Sequence, residues 1–409
     1  MNGRESVDVV VIGGGVLGCA VAWSLARRGV ERVLLLERSE IASQTTSRAA
    51  SVLTRVAGSA AKSAILQETW AAISALEEEL SESLGVHEVG SLHVAATPKS
   101  ARALEELALL AEEVGDPCEW LNTGDARDRV RWLHMEEDAR SLFLPRAGYV
   151  DSHLLATAYV RAARARGAEV RTGVEVTGLS REGARVVGVE TQEGAVGATW
   201  VVNCAGPWAG LLAAEAGWHL PMAPVRSHYW ITAPREEFDP RQPIVILPDV
   251  PAYTRGEVGG LLFGLRAGAS PARDPRDLPR DLAGMRFKED PDGWETLAEC
   301  GEEFARFCPL LESVELEHYV SGPSCYTPDG HFLLGACPEV EGLLVATGCC
   351  GLGVAASGGV GRAIAELVMG EAGGLDLSPF RLDRFGRVDA FEESWLERCS
   401  KARLAKTVG

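Results

Sequence analysis

Several things are scarce in this sequence, and each shortage excludes something. Its 409 residues contain no unbroken apolar run approaching the roughly 20 residues that a membrane helix requires; the stretch 7–18 is interrupted by Asp8. Basic residues are in deficit, with 40 Lys and Arg against 58 Asp and Glu and a formal charge of −18. An acidic excess repels phosphate backbones and anionic membrane surfaces, so no nucleic-acid partner and no membrane span are expected. The ten cysteines include no C-x-x-C pair, which removes the common zinc and dithiol patterns, and they are too dilute for a disulfide scaffold. No metal site is expected. The adjacent Cys349 and Cys350 sit among glycines and apolar residues and read as small packed side chains. Nothing repeats at a fixed period. The first five residues run straight into a strand-like segment, leaving no room for a cleavable signal, and the expectation is a soluble cytoplasmic protein. What remains is an ordinary globular composition, 46% hydrophobic and 24% charged, with length for about two or three domains.

Asp8-Val9-Val10-Val11-Ile12 is a β-branched run of the kind buried on both faces of a parallel sheet. After Gly13, the spacing of Leu17, Val21 and Leu25 predicts a helix ending at Gly29, and Arg32-Val33-Leu34-Leu35-Leu36 predicts a second buried strand. That is one βαβ unit. Helices follow by the same reasoning over 62–84, 100–114 and from 152 to 167, and strands over 169–171, 184–191 and 199–203. Alternation in 225–232 and 260–266 predicts antiparallel strands with a polar face. A surface loop is expected at 269–281, then a strand at 343–347 leading into a helix over 354–369. An α/β signal at both ends with a β-rich section between them implies two interleaved domains. The expected fold is a Rossmann-like α/β nucleotide domain with a parallel sheet (1–86, 146–218 and 320–380). An α+β substrate part with an antiparallel sheet (87–145 and 219–319) is interleaved with it, and a charged tail follows over 381–409.

Gly13-Gly14-Gly15-Val16-Leu17-Gly18 is G-x-G-x-x-G between a strand and a helix. Gly13 and Gly15 allow a tight turn and close backbone approach to a pyrophosphate, Val16 and Leu17 open the helix that faces it, and Gly18 lets helix and strand pack closely. Glu37 stands 19 residues beyond Gly18 at the end of the second strand, where an acid accepts from a ribose diol and disfavours a 2′-phosphate. A turn that binds nothing is the bland alternative, and the conjunction of both signals weighs against it. FAD and NAD share the fingerprint. Gly348-Cys349-Cys350-Gly351-Leu352-Gly353-Val354 marks a second strand-to-helix junction, whose helix would aim its positive end at a bound group. Gly358, Gly359 and Gly361 cost helix propensity, which a cofactor or sheet contact would explain and plain helix packing equally well.

Four segments resemble the D-amino acid oxidase superfamily of FAD enzymes over nearly the whole chain. They are the opening βαβ with Glu37-Arg38, Ser43-Gln44-Thr45-Thr46-Ser47-Arg48-Ala49-Ala50, Asn203-Cys204-Ala205-Gly206-Pro207-Trp208-Ala209, and the terminal glycine-rich junction. Pro224 to Thr232, Tyr253-Thr254-Arg255 with Gly260 to Gly264, and Ser321-Gly322-Pro323 with Thr327-Pro328-Asp329-Gly330 are most similar to its dimethylglycine and sarcosine dehydrogenase branch, beside the sarcosine and glycine oxidases. The resemblance implies an FAD oxidoreductase acting on a small amine or amino acid. It implies cofactor contacts from Gly13, Gly15, Val16, Leu17, Gly18, Glu37, Arg38, Thr45, Thr46, Arg48, Ala49, Val176, Cys204, Ala205, Gly206, Trp208, Gly322, Gly351, Leu352, Gly353 and Val354. Folate coupling, which accompanies many of the dehydrogenases, is not expected.

The chain departs from these relatives at informative positions. Arg48 stands where the dehydrogenases carry a flavin-linked histidine, and Gly322 where monomeric sarcosine oxidases carry a flavin-linked cysteine, with Cys325 three residues late. Noncovalent FAD is therefore expected, with Cys325 as the residue to watch. Leu262 and Val354 occupy the positions of the oxygen-activating and carboxylate-binding lysines of the sarcosine oxidases. A carboxylate must then be held otherwise, and the planar fork of an arginine suits it. Arg48, Arg255 and Arg266 are candidates by position, Arg48 equally as a neighbour of the flavin and any of the three equally as a surface arginine, a reading slightly favoured for Arg266; Tyr253 is a further catalytic candidate, Tyr229 lies beside His228, Tyr326 is a pocket wall or a core residue, and His228 is a proton acceptor, although a lone sheet histidine is more often structural. The expected reaction is oxidation of a C–N bond by hydride transfer to the flavin, with the electron acceptor open between oxygen and an electron-transfer protein. Oxidation of a 2-hydroxy acid on the same scaffold, or a noncatalytic regulatory flavoprotein, are the alternatives.

Overall fold

Residues 6–266, 270–371 and 373–405 are described by a computed structural model. The expectation of no leader in residues 1–5, the 269 end of the expected loop and positions 406–409 of the expected tail lie outside them.

The β-branched opening run forms the strand Ser6–Ile12, buried on both sides as its composition requires. Val9 and Val11 join one hydrophobic cluster and Val10 and Ile12 the other, because successive side chains point to opposite faces. Val33–Glu37 repeats the pattern, and the helix Val16–Arg27 crosses between these parallel neighbours, with Val9 opposite Val33 and Ile12 opposite Leu36. The first sheet runs Leu333–Ala336, Leu343–Thr347, Gly194–Asn203, Ser6–Ile12, Val33–Glu37, Glu169–Thr172. All neighbours on this path are parallel except the edge strand Leu333–Ala336. Helices Val16–Arg27, Ala60–Leu80, Ser152–Ala165 and Gly353–Met369 pack into the cluster on one face. An antiparallel meander through Val176–Glu182 and Arg185–Thr191, with helix Ala209–Glu215, covers the other.

Glycines 358, 359 and 361 serve helix packing. A Cβ at Gly358 would stand 2.7 Å from the Thr69 Cα, one at Gly359 would enter the Ile65 carbonyl, and one at Gly361 would stand 2.6 Å from the Ala20 carbonyl oxygen. Their absence lets Gly353–Met369 approach the two neighbouring helices closely, which settles the alternative left open by sequence in favour of helix on helix.

The second sheet runs Leu316–Tyr326, Ala223–Thr232, Gly260–Leu265, Ala252–Glu257, Ile244–Leu247, Ser91–Ala95, Arg140–Leu144, Glu119–Leu121, antiparallel except between Ile244–Leu247 and Ser91–Ala95. The polar face expected on Gly260–Leu265 is absent: every residue of that strand is buried. Leu261, Phe263 and Leu265 pack against Phe304 and Trp230 on one side, and Gly264 lies under the Tyr253 ring on the other. Beyond residue 381 the charge-rich stretch forms the helix Glu393–Ala405. Trp395, Cys399 and Ala402 seat it on Ala223, Val225 and Tyr326.

Candidate active site

A cavity of about 550 Å³ extends from the glycine turn to the second sheet. Of the cofactor candidates, all but Gly18 line it. Gly18 acts behind it instead, because a Cβ there would overlap the Gly13 carbonyl, so helix and turn could not close on each other. Gly13 takes φ +103°, and a Cβ would stand 2.6 Å from the Cys204 carbonyl oxygen. The helix Val16–Arg27 has no side-chain cap from Gly15, while the Val16 N–H donates to Thr46 Oγ1 at 3.1 Å. Glu37 is buried and accepts from the Gly14 N–H at 2.6 Å and the Ser39 N–H at 2.8 Å, which fixes its carboxylate and leaves lone pairs toward the cavity.

Two orphaned polar atoms at the cavity wall are placed to meet a bound group. Arg38 stacks over Trp208 at 4.0 Å, and its Nη2 and the Trp208 Nε1 are buried without a hydrogen-bond partner among the described residues. Both side chains line the cavity next to Glu37. Buried donors of this kind are costly unless a ligand meets them. The open helix N-terminus, the fixed acid and these donors fit an adenine dinucleotide. At the other junction Gly351, Leu352, Gly353 and Val354 line the cavity ahead of Gly353–Met369, whose start also lacks a side-chain cap. Among the described residues, no group of three or more His, Cys, Asp or Glu is placed to hold a metal ion.

Both positions at which relatives would tether a flavin meet in space. Arg48 lies across Gly322, with its Cδ 2.6 Å from where a Cβ would stand. The guanidinium donates to the carbonyls of Gln44 and Leu282, each at 2.7 Å. It therefore ties the 43–48 turn to the second part of the chain while Arg48 itself lines the cavity. Cys325 lines the cavity, but burial pushes its thiol up to about 12 and keeps it protonated.

The other substrate-side candidates divide. Arg255 does not line the cavity: its Nε donates to the Ala50 carbonyl at 2.6 Å and its Nη1 pairs with Glu257. The expected binding role is thus replaced by a structural one. His228 is on the wall, yet both ring nitrogens are engaged, Nδ1 with the Tyr319 hydroxyl at 3.0 Å and Nε2 with the Leu265 carbonyl at 3.1 Å. A carbonyl only accepts, so Nε2 carries the proton and Nδ1 accepts from Tyr319. Burial, with Arg403 and Arg226 nearby, drives its pKa down to about 2, and the expected proton-acceptor role does not hold. Tyr253, Tyr229 and Tyr326 line the cavity together with Arg266. Leu262 is buried away from it, and Val354 lines it. Arg403, from the helix Glu393–Ala405, also lines it and was not singled out from sequence, because nothing local marks a charged helix as covering a distant sheet.

A parallel sheet with a dinucleotide cradle opening onto an antiparallel sheet fits a dinucleotide-binding protein with a second ligand face. Residues 8–367 match the family model described as DAO, FAD dependent oxidoreductase, and the chain belongs to that family and binds FAD. It is 29% identical to 4-methylaminobutanoate oxidase (formaldehyde-forming) of Paenarthrobacter nicotinovorans over 93% of this chain and 46% of that protein. It is 26% identical to the mitochondrial pyruvate dehydrogenase phosphatase regulatory subunit of Mus musculus over 94% of this chain and 44% of that one. The chain thus spans less than half the length of these two relatives. Glycine oxidase of Geobacillus kaustophilus is 30% identical over 92% of this chain and 97% of its own. The crystal structure of that oxidase superposes with a TM-score of 0.77, covering 93% of this chain and 99% of that one at 28% identity. Among the described residues no helix is long and apolar enough to cross a membrane.

Proposed function

We propose that this protein oxidises a C–N bond of a small secondary or tertiary amine or amino acid, sarcosine-, dimethylglycine- or glycine-like, with FAD held noncovalently. The observation that carries the reading is the single cavity that joins the dinucleotide cradle to the tyrosine-lined face of the second sheet. The relatives support it, since their names specify a methylaminobutanoate and glycine as substrates.

When bound, FAD would supply the two-electron acceptor for the hydride that leaves the substrate. The rest is done by the chain. Glu37 and the N-terminus of Val16–Arg27 hold the ribose and pyrophosphate end. Ile246, Tyr229, Tyr253 and Tyr326 wall the substrate end, exclude water and orient the C–H bond. His228 Nε2 donates its proton to the Leu265 carbonyl and its pKa is held down by burial, so the amine does not lose its proton to this imidazole.

Similarity to the phosphatase regulatory subunit favours a second reading, a noncatalytic flavoprotein. Anaerobic visible spectra of the purified holoprotein with N-methyl amino acids, plain amino acids and 2-hydroxy acids separate the readings. Bleaching of the flavin by an amine is expected; bleaching by 2-hydroxy acids alone, or by nothing, would overturn amine oxidation.

A further inference from the structure

The stretch 275–282 overlaps the surface loop expected at 269–281, yet it is fastened to the dinucleotide cradle. Its first residues, the 3-10 turn Pro275–Asp277, rest on the helix Ala209–Glu215, where a Cβ at Gly210 would stand 3.9 Å from Pro275 Cγ. Leu278 and Leu282 are buried. Three consecutive residues then make the crossing. Arg280 pairs with Glu175, and Asp281 accepts from Gln44 Nε2 at 3.1 Å. The Leu282 N–H donates to Gln44 Oε1 at 2.8 Å, and its carbonyl accepts from Arg48 at 2.7 Å. Glu175 follows the strand Glu169–Thr172, Gln44 and Arg48 follow Val33–Glu37, and all three line the cavity. Residues 275–282 do not line it.

Residues 280–282 thus join two separate lining segments from outside the wall. Glu175 also faces Arg38 Nη1 at 4.0 Å, which puts this crossing beside the orphaned donors of Arg38 and Trp208. A dinucleotide held behind such a crossing leaves only when the crossing opens. Its fastenings differ in strength. Leu278 and Leu282 are seated by apolar burial, whereas Arg280 and Asp281 are exposed and hold through polar side-chain contacts. Exposed ion pairs contribute about 0.2–1 kcal/mol each and weaken with salt, so these contacts open before the anchors on either side.

We propose that Arg280 and Asp281 form a polar latch that gates FAD exchange, releasing Glu175 and Gln44 before the cofactor enters or leaves. This rests on noncovalent binding of FAD and not on the reaction it carries out. The latch is made by groups of the chain alone, so weakening it speeds entry and exit together and changes the affinity less than either rate.

The test dilutes the holoprotein and follows free FAD by its fluorescence. The time course gives the release rate, and the final level over a series of dilutions gives the affinity. The double variant Arg280→Ala/Asp281→Ala lies outside the cavity wall and removes no wall residue. It is expected to release FAD about 5-fold faster than the parent, with the affinity changed by less than about 2-fold. Raising sodium chloride from about 0.05 to 0.5 M should bring the parent toward the variant's rate and move the variant little. Arg286→Ala, which loses only an exposed pair with the nearby Asp292, should release FAD as the parent does. A double variant that releases FAD at the parent's rate would overturn the latch. So would release that quickens only in proportion to lost affinity, which marks a cofactor contact and not a gate, or an equal response of both proteins to salt. If acid frees the flavin and the variants still match the parent, the latch alone falls; if acid leaves the flavin on the protein, noncovalent binding falls with it.

Discussion

Replacing Gly322 with alanine should unseat Arg48 and loosen the cofactor side of the cavity. The new Cβ would lie 2.6 Å from Arg48 Cδ, well inside van der Waals contact. Arg48 cannot simply swing away, because its guanidinium is held at 2.7 Å by the Gln44 carbonyl and at 2.7 Å by the Leu282 carbonyl. Overpacking of this kind costs about 1–3 kcal/mol. Arg48→Ala alone releases those carbonyls at a cost of about 1–3 kcal/mol for bonds made by a charged donor. The alanine at 48 also removes the atoms that a side chain at 322 would strike. The pair should therefore be coupled, with the double variant more stable than the sum of the singles by about 1–2 kcal/mol. Urea unfolding of the four proteins, followed by flavin release and by far-ultraviolet circular dichroism, measures the cycle. Additivity within about 0.5 kcal/mol would refute the interlock of Arg48 with Gly322.

Gly359→Ala should cost about 1–3 kcal/mol in the same assay, since its Cβ would enter the Ile65 carbonyl on the neighbouring helix, while the flavin spectrum stays as in the parent. His228→Gln tests the buried neutral imidazole. Its folded pKa of about 2 lies below the ordinary 6.5, so between these values the unfolded chain binds a proton that the folded one refuses. The stability His228 supports is present above about pH 6.5 and is lost as pH falls. The parent should therefore lose stability relative to His228→Gln by about 1.4 kcal/mol per pH unit between roughly pH 6 and 4. A difference that does not change with pH would contradict the assignment.

Where the controlling physics is local, the residues announce the structure. The run 8–12, the glycine turn and Glu37 are contiguous signals of period, conformation and charge, and the strand, turn and fixed carboxylate appear where they point. Arg255 and His228 are candidates by residue type and by position along the chain, and neither tells whether hydrogen-bonding capacity is already spent. That depends on the Ala50 carbonyl, 205 residues before Arg255, and on Tyr319, 91 residues after His228. Gly358, Gly359 and Gly361 marked a close approach without naming the partner, which is the helix Ala60–Leu80 for the first two and Val16–Arg27 for the third. Arg403 was invisible because its burial is produced by Trp395, Cys399 and Ala402 docking on strands formed much earlier in the chain.

The central claim is that this cavity holds FAD by contacts alone, with Arg48 over Gly322 where a tether would otherwise stand. Acid precipitation of the purified yellow protein tests it most directly. The account predicts FAD in the supernatant and a colourless pellet; flavin that stays with the pellet, or a colourless protein that FAD cannot reconstitute, would contradict it.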